Sequence, residues 1–178
     1  DRGAQLIIRQ MNGVTAAETI MHESMEPYDT YMTEGNIKLN DQVQVSDMVV
    51  PPQNVDPTTG RLRFAQQNKT LIYAHSKQRF RAVPASNFKL PKLLITTGAV
   101  TTQNYNTSNH RGDVAERDHV FGAVILETIG DKFYNVRHVR AQKDGKFIDM
   151  GKKYNGKKAP TNARTDSLVL GDLHIGDE

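Results

Sequence analysis

The chain has 178 residues, of which 37% are hydrophobic, which is enough for one or two compact domains with a core. It contains no cysteine, and this excludes disulfide bridges, thiolate metal sites and thiol nucleophiles. No apolar run approaches the ~18 residues of a membrane span, and no basic-then-apolar leader opens the chain, so we expect a soluble, unsecreted protein with no membrane span.

The net charge of +3 conceals an uneven distribution of charge along the chain. Residues 1–60 hold three basic and nine acidic side chains, residues 61–100 hold eight basic and no acidic ones, and residues 131–164 hold ten basic and three acidic ones. Two basic blocks can form a face that attracts a polyanion, because each Lys or Arg that neutralises a phosphate releases counterions. The alternative, given equal weight, is that the basic side chains of these blocks lie on solvated strand faces and serve solubility.

One helix is predicted near the start of the chain, over residues 14–26. Thr15 and Glu18 form a capping box, apolar residues follow at helical spacing, and Pro27 ends the helix. From Asn36 onward, apolar and polar residues alternate as in short strands, and a turn-rich connector follows over residues 53–60.

The rest of the chain predicts strand after strand. Arg61–Phe64 alternates in polarity and, with Leu71–Tyr73, predicts a hairpin. Three consecutive antiparallel strands are expected from residue 119 to residue 150, with a type I′ turn at Lys143–Lys146. The fold class is therefore α+β, predominantly antiparallel β, with one N-terminal helix.

The expected domain organisation has four parts. Residues 1–60 hold the helix and short strands, residues 61–151 form an antiparallel β accessory domain, and residues 152–166 have the composition of a basic linker. A new apolar strand begins at Ser167, and residues 167–178 begin a further, incomplete domain. We expect the chain to be a piece of a longer polypeptide.

The most specific motif closes the sequence, where an apolar strand runs into Gly171, Asp172, Leu173 and His174. Side chains two residues apart lie on the same side of an extended backbone, so Asp172 and His174 can chelate one metal ion. A carboxylate together with an imidazole suits Mn, Fe or Zn. A strand end that carries a surface histidine is the structural alternative.

The segment Leu168–Gly176 resembles the first metal motif of the calcineurin-like metallophosphoesterases, which include double-strand-break repair exonucleases. The resemblance implies that the last strand is the first strand of an α/β metallophosphoesterase domain and that Asp172 and His174 bind one ion of a two-metal site. It suggests manganese, with magnesium, iron or zinc as alternatives. The family's later blocks, Gly-Asp-x-x-Asp and Asn-His-Asp/Glu, do not follow here, so we expect this chain alone to be inactive.

A second resemblance covers about half of the chain. Phe88–Thr101, Asp118–Glu127 and Val136–Val139 are similar to the region before the phosphoesterase domain in phage proteins of DNA transfer and early host-DNA degradation. It implies a phage early protein that acts on DNA in the cytoplasm of the host bacterium. The expected partners are DNA, the remainder of the same polypeptide and, for an oligomer, further copies of the chain.

Seven basic side chains are the candidate contacts to nucleic acid. They are Lys77, Arg79, Arg81, Lys152, Lys153, Lys157 and Lys158. His119 beside Asp118 could supply a metal ligand or a general base, although a polar loop that enters a strand is the favoured interpretation. A non-enzymatic, β-rich interaction or structural module is the alternative function for the chain as a whole.

Overall fold

The structure is a computed structural model that describes residues 27–28, 30–32, 35–65, 69–84 and 91–167. The chain divides into a large unit, residues 1–140, and a small unit, residues 141–178. The described residues form ten strands and two helices. In chain order these are β1 (Ile37–Lys38), β2 (Val43–Ser46), α1 (Leu62–Ala65), β3 (Thr70–Tyr73), β4 (Phe80–Val83), β5 (Lys92–Thr96), α2 (His110–Arg117), β6 (Gly122–Ile129), β7 (Phe133–Arg140), β8 (Phe147–Asp149), β9 (Lys152–Tyr154) and β10 (Thr161–Asn162).

A five-stranded mixed sheet forms the centre of the large unit, with strand order β1-β2-β3-β5-β4. Strands β2, β3 and β5 run parallel, whereas β1 and β4 are antiparallel to their neighbours at the two edges. All four residues of β3 are buried. A central parallel strand such as β3 is buried along its whole length because both faces of the sheet are covered there.

The two faces of this sheet have separate hydrophobic clusters. Leu71 in β3 packs with Tyr73, Leu94 and, from α1, Ala65. Its neighbour Ile72 points to the opposite face, because successive strand side chains alternate. There it joins a second cluster made by Val43, Ile72, Ile95, Leu93, Val124, Leu126, Tyr134 and Val136. The central sheet is thus covered by α1 on one face and by the β6–β7 hairpin on the other.

The small unit contains a three-stranded antiparallel sheet in the order β10-β9-β8. Before β8, the amide of Gly145 donates to the carbonyl of Gln142 over 2.9 Å, and Gly145 has a φ of +80°. Asp144 does not share the positive φ, so this loop is a type I turn closed by a glycine, and the type I′ prediction is wrong there. The two-residue turn with positive φ at both positions, which defines type I′, occurs instead at Met150 and Gly151.

The predicted fold class is confirmed. The described residues are mostly β, and five of their seven strand pairings are antiparallel. The hairpin of β6 and β7 is also confirmed, but β8 pairs with β9 in the small unit's sheet and not within that hairpin. The helix over residues 14–26 and the strand expected from residue 168 onward lie outside the residues that the structure describes.

Three predictions of local structure and boundaries are wrong. Leu62 and Phe64 belong to helix α1: Leu62 and Ala65, three residues apart, face the core, while Phe64 stays exposed beneath the Arg63 guanidinium. No boundary separates residues 1–60 from the rest, because β2 pairs with β3. The expected linker, residues 152–166, contains β9 and β10, and the unit boundary falls after residue 140.

Candidate functional site

Four consecutive polar residues follow the central strand β3 and are buried. His75, Ser76, Lys77 and Gln78 are only 0%, 0%, 1% and 6% exposed. We call His75–Gln78 the buried polar segment. Burying a polar or charged group destabilises a protein unless the group finds a hydrogen-bond partner, so the contacts of this segment decide how the surrounding loops are placed.

His75 bridges its own loop and the connector that precedes α1. Its Nδ1 accepts a hydrogen bond from the backbone amide of Lys77 over 3.0 Å, and its Nε2 lies 3.1 Å from the carbonyl oxygen of Pro51. Because Nδ1 accepts, Nε2 carries the proton and donates to Pro51. Burial lowers the pKa of His75 to about 4, so the ring is neutral at neutral pH.

Lys77 forms a buried ion pair. Its Nζ lies 2.9 Å from Asp118 Oδ2 and donates to the carbonyl of Asn54 over 2.6 Å. The second carboxylate oxygen of Asp118, Oδ1, accepts a hydrogen bond from Arg117 Nε over 2.9 Å. Hydrogen bonds from Arg117 and then Lys77 hold the pKa of Asp118 far below its usual range. Asp118 is therefore an anion committed to two cations.

Gln78 joins the central sheet to the β6–β7 hairpin. Its Nε2 lies 2.9 Å from the carbonyl oxygen of Val139, 3.1 Å from that of Thr97 and 3.3 Å from that of Ala123. A Cβ at Gly122 would lie 2.4 Å from the same nitrogen, so only glycine fits where the hairpin begins. The amide of one side chain thus fixes two strands against the sheet.

A second polar contact lies near the segment. The Tyr105 hydroxyl is 2.8 Å from His119 Nδ1, and the His119 ring meets Phe121 edge-on with centroids 4.9 Å apart. Burial lowers the pKa of His119 and raises that of Tyr105. The His119 Nε2 is buried without a hydrogen bond of normal geometry. Since Tyr105 occupies Nδ1 and the ring is enclosed, His119 is a packed residue and the interpretation of a polar loop entering a strand is favoured.

The candidate nucleic-acid contacts of the large unit are placed differently from the prediction. The prediction that Lys77 contacts phosphate is wrong, because its ammonium is buried against Asp118. Arg79 is exposed and donates to the carbonyl of Gln78. Arg81 Nη1 lies 3.4 Å from Asp56 Oδ2, which partly offsets its charge. Arg79 and Arg81 remain available near the edge strand β4.

The candidate contacts of the small unit are all exposed. Lys152 donates to Asn162 Oδ1 over 2.6 Å and stands opposite Asp149 in the β8–β9 register. Lys153, Lys157 and Lys158 pair with no Asp or Glu within the described part of the chain. Over residues 141–167 the sequence holds seven Lys or Arg against three Asp. The small unit therefore carries an excess of positive charge over its described residues.

The predicted metal ligands Asp172 and His174 lie outside the described residues. Within the ranges that the structure describes, no group of three or more His, Asp or Glu side chains could hold a metal ion. No helix in those ranges is long and apolar enough to cross a membrane.

An open depression near the buried polar segment is lined by Asn54, Val55, Asp56, Thr59 and Arg61. Its loop is held by Asp56, which accepts hydrogen bonds from the Thr58 amide and hydroxyl. The depression is lined by one acidic and one basic side chain and brings none of the predicted site residues together.

The chain matches no protein-family model, no curated protein and no solved structure.

The lowered pKa of His75 predicts a loss of stability in weak acid. An unfolded chain protonates this ring near pH 6.5, whereas the folded chain does so only near pH 4, so its contribution is complete above pH 6.5 and is lost as the pH falls toward 4. Urea unfolding at pH 7 and pH 4 should show that the wild type loses roughly 3 kcal/mol more than His75→Asn. The Asn side chain can still accept from the Lys77 amide.

The control for this experiment is His110→Asn, because His110 is exposed on α2. This variant should lose as much stability between the two pH values as the wild type does. An equal loss in His75→Asn and the wild type would contradict the assignment.

Proposed function

We propose that this chain is the DNA-engaging accessory region of a phage metal-dependent phosphodiesterase that cleaves DNA in the cytoplasm of its bacterial host. The single observation that carries the proposal is the segment Leu168–Gly176, whose Asp172 and His174 have the spacing and flanking glycines of a first metal motif. Hydrolysis would use a two-metal site completed by later segments of the same polypeptide. An oligomer of such chains belongs to the same proposal.

The exposed charge of the small unit supports the DNA-engaging part of this proposal. Lys152 and Lys153 lie in β9, and Lys157 and Lys158 lie in the loop that follows it, so four exposed ammonium groups are close together in the sequence of the small unit. Lys152 stands opposite Asp149 in the strand register, and the other three lysines form no ion pair within the described residues. Lysines of this kind contact phosphates as point charges and carry no information about base sequence. Binding through them would therefore be weak and independent of sequence.

The alternative function is a non-enzymatic, β-rich interaction module. One observation favours it: among the described residues, Lys77 pairs with Asp118 and Tyr105 contacts His119, so these titratable side chains are engaged in structural contacts. In that case Asp172 and His174 are only a polar strand end. The two functions differ in whether a metal ion bound by these residues cleaves DNA.

The DNA-engaging role predicts binding to duplex DNA that weakens steeply with salt. Each lysine that contacts a phosphate adds about 0.9 to the slope of log affinity against log salt. Changing Lys152, Lys153, Lys157 and Lys158 together to Gln should flatten this slope, as measured by fluorescence anisotropy at several salt concentrations. The quadruple variant should unfold at the same urea concentration as the wild type, which excludes misfolding.

Two results would remove the DNA-engaging role. One is the absence of binding by the wild type at low salt, and the other is an affinity that does not change with salt.

The catalytic part of the proposal predicts that Asp172 and His174 are needed for cleavage. In a polypeptide that carries the later metal-binding blocks, Asp172→Ala or His174→Ala should abolish manganese-dependent phosphodiester cleavage. Folding and DNA binding should be nearly unchanged, because these groups stabilise a charge that exists only with metal and phosphate bound. In the present chain alone the same substitutions should change almost nothing. Wild-type turnover by the Asp172→Ala polypeptide would favour the interaction module.

A further inference from the structure

Two turns of the small unit meet at one end of its sheet. The loop over residues 142–146 leads directly into β8 at Phe147, and β9 ends at Tyr154, which is the partner of Phe147 in the strand register. The loop that leaves β9, residues 155–160, therefore starts from the same end. We call these two loops, with Phe147 and Tyr154, the turn end of the sheet.

The turn end concentrates lysine side chains. Lys143 and Lys146 lie in the first loop, and Lys157 and Lys158 lie in the second. Lys146 is neutralised by Asp144, whose Oδ2 lies 2.5 Å from its Nζ. The other three lysines are exposed and form no ion pair within the described residues. Three like charges at one end of a small sheet repel one another unless a counter-charge is supplied.

The small unit also lacks a buried core among its described residues. None of residues 141–167 is buried. The rings of Phe147 and Tyr154 stack on each other, with centroids 4.7 Å apart and planes 9° apart. A three-stranded sheet needs a hydrophobic face or a packed partner for independent stability. A bound polyanion would relieve the repulsion between the lysines and so stabilise the sheet.

We propose that the turn end, through Lys143, Lys157 and Lys158, binds the phosphate backbone of DNA and that the sheet of the small unit gains order on binding. This inference rests on the proposed function and names the surface that performs it. The facing sides of the two aromatic rings are occupied by their mutual stack and both residues are partly buried, so the exposed groups of the turn end are the lysines. The ligand is therefore the backbone of duplex DNA, read without sequence preference.

The test compares two triple variants of the whole chain that remove the same charge. One changes Lys143, Lys157 and Lys158 to Gln. The control changes Lys69, Arg111 and Lys132 of the large unit to Gln, because none of these forms an ion pair within the described residues. With a labelled 20-base-pair duplex, the turn-end variant should lose about tenfold or more in affinity at low salt, and its salt slope should fall by about 2.7. The control should lose less than about threefold, because only nonspecific long-range attraction changes.

Hydrogen exchange gives a second measurement that does not depend on affinity. Adding the duplex to the wild type should slow exchange of the backbone amides of residues 147–162, and high salt should remove this protection. The turn-end variant should show no such protection at the same DNA concentration.

The outcomes separate this inference from the function on which it rests. If the wild type binds the duplex but the two triple variants lose affinity equally, the turn end is not the contact surface and the DNA-engaging role stands. If residues 147–162 exchange at the same rate with and without DNA, the sheet gains no order on binding and that part of the inference fails, while the DNA-engaging role again stands. If the wild type binds no duplex at low salt, both the proposed function and the inference fail.

Discussion

The structure of the large unit depends on burying four polar side chains in a row. His75, Ser76, Lys77 and Gln78 leave the central strand and enter the interior, where each must find a partner or destabilise the fold. The partners of His75, Lys77 and Gln78 lie on parts of the chain far apart in sequence: the connector before α1, the residue after β5, the residue after α2 and both strands of the β6–β7 hairpin. Ser76 Oγ is buried without a hydrogen bond of normal geometry among the described residues. The hydrophobic clusters hold the faces of the sheet together, and the buried polar segment fixes the loops at its end.

The buried polar side chains of the large unit are engaged in contacts within the protein, so the proposed contact with DNA would use other residues. In the large unit, the ammonium of Lys77 is enclosed and is compensated by Asp118. Binding of DNA, as proposed, would therefore use exposed cations, and the small unit holds such cations on a sheet without a buried core among its described residues. Arg79 and Arg81 add a second basic surface at the edge of the central sheet.

The sequence was sufficient to predict features that depend on local pattern. The apolar run over residues 120–129, the Gly-Asp break at residues 130–131 and the strand pattern that follows predicted a hairpin that the structure confirms. The helix at Leu62–Ala65 was missed because four residues of alternating polarity fit a strand equally well, and only contacts with β3 and β5 decide between them. Lys77 was misassigned because a lysine in a basic stretch looks solvated, and its partner Asp118 is 41 residues away in the sequence. Asp172 and His174 remain a prediction.

The most direct test of the central constraint is the free energy of unfolding of Gln78→Met, because methionine nearly keeps the volume of glutamine and removes only its amide. Leaving the carbonyls of Thr97 and Val139 without their buried donor should destabilise the protein by about 2–4 kcal/mol in urea at neutral pH. Gln142→Met, at an exposed position, should change stability by less than about 0.5 kcal/mol. A Gln78→Met protein as stable as the wild type would contradict the account.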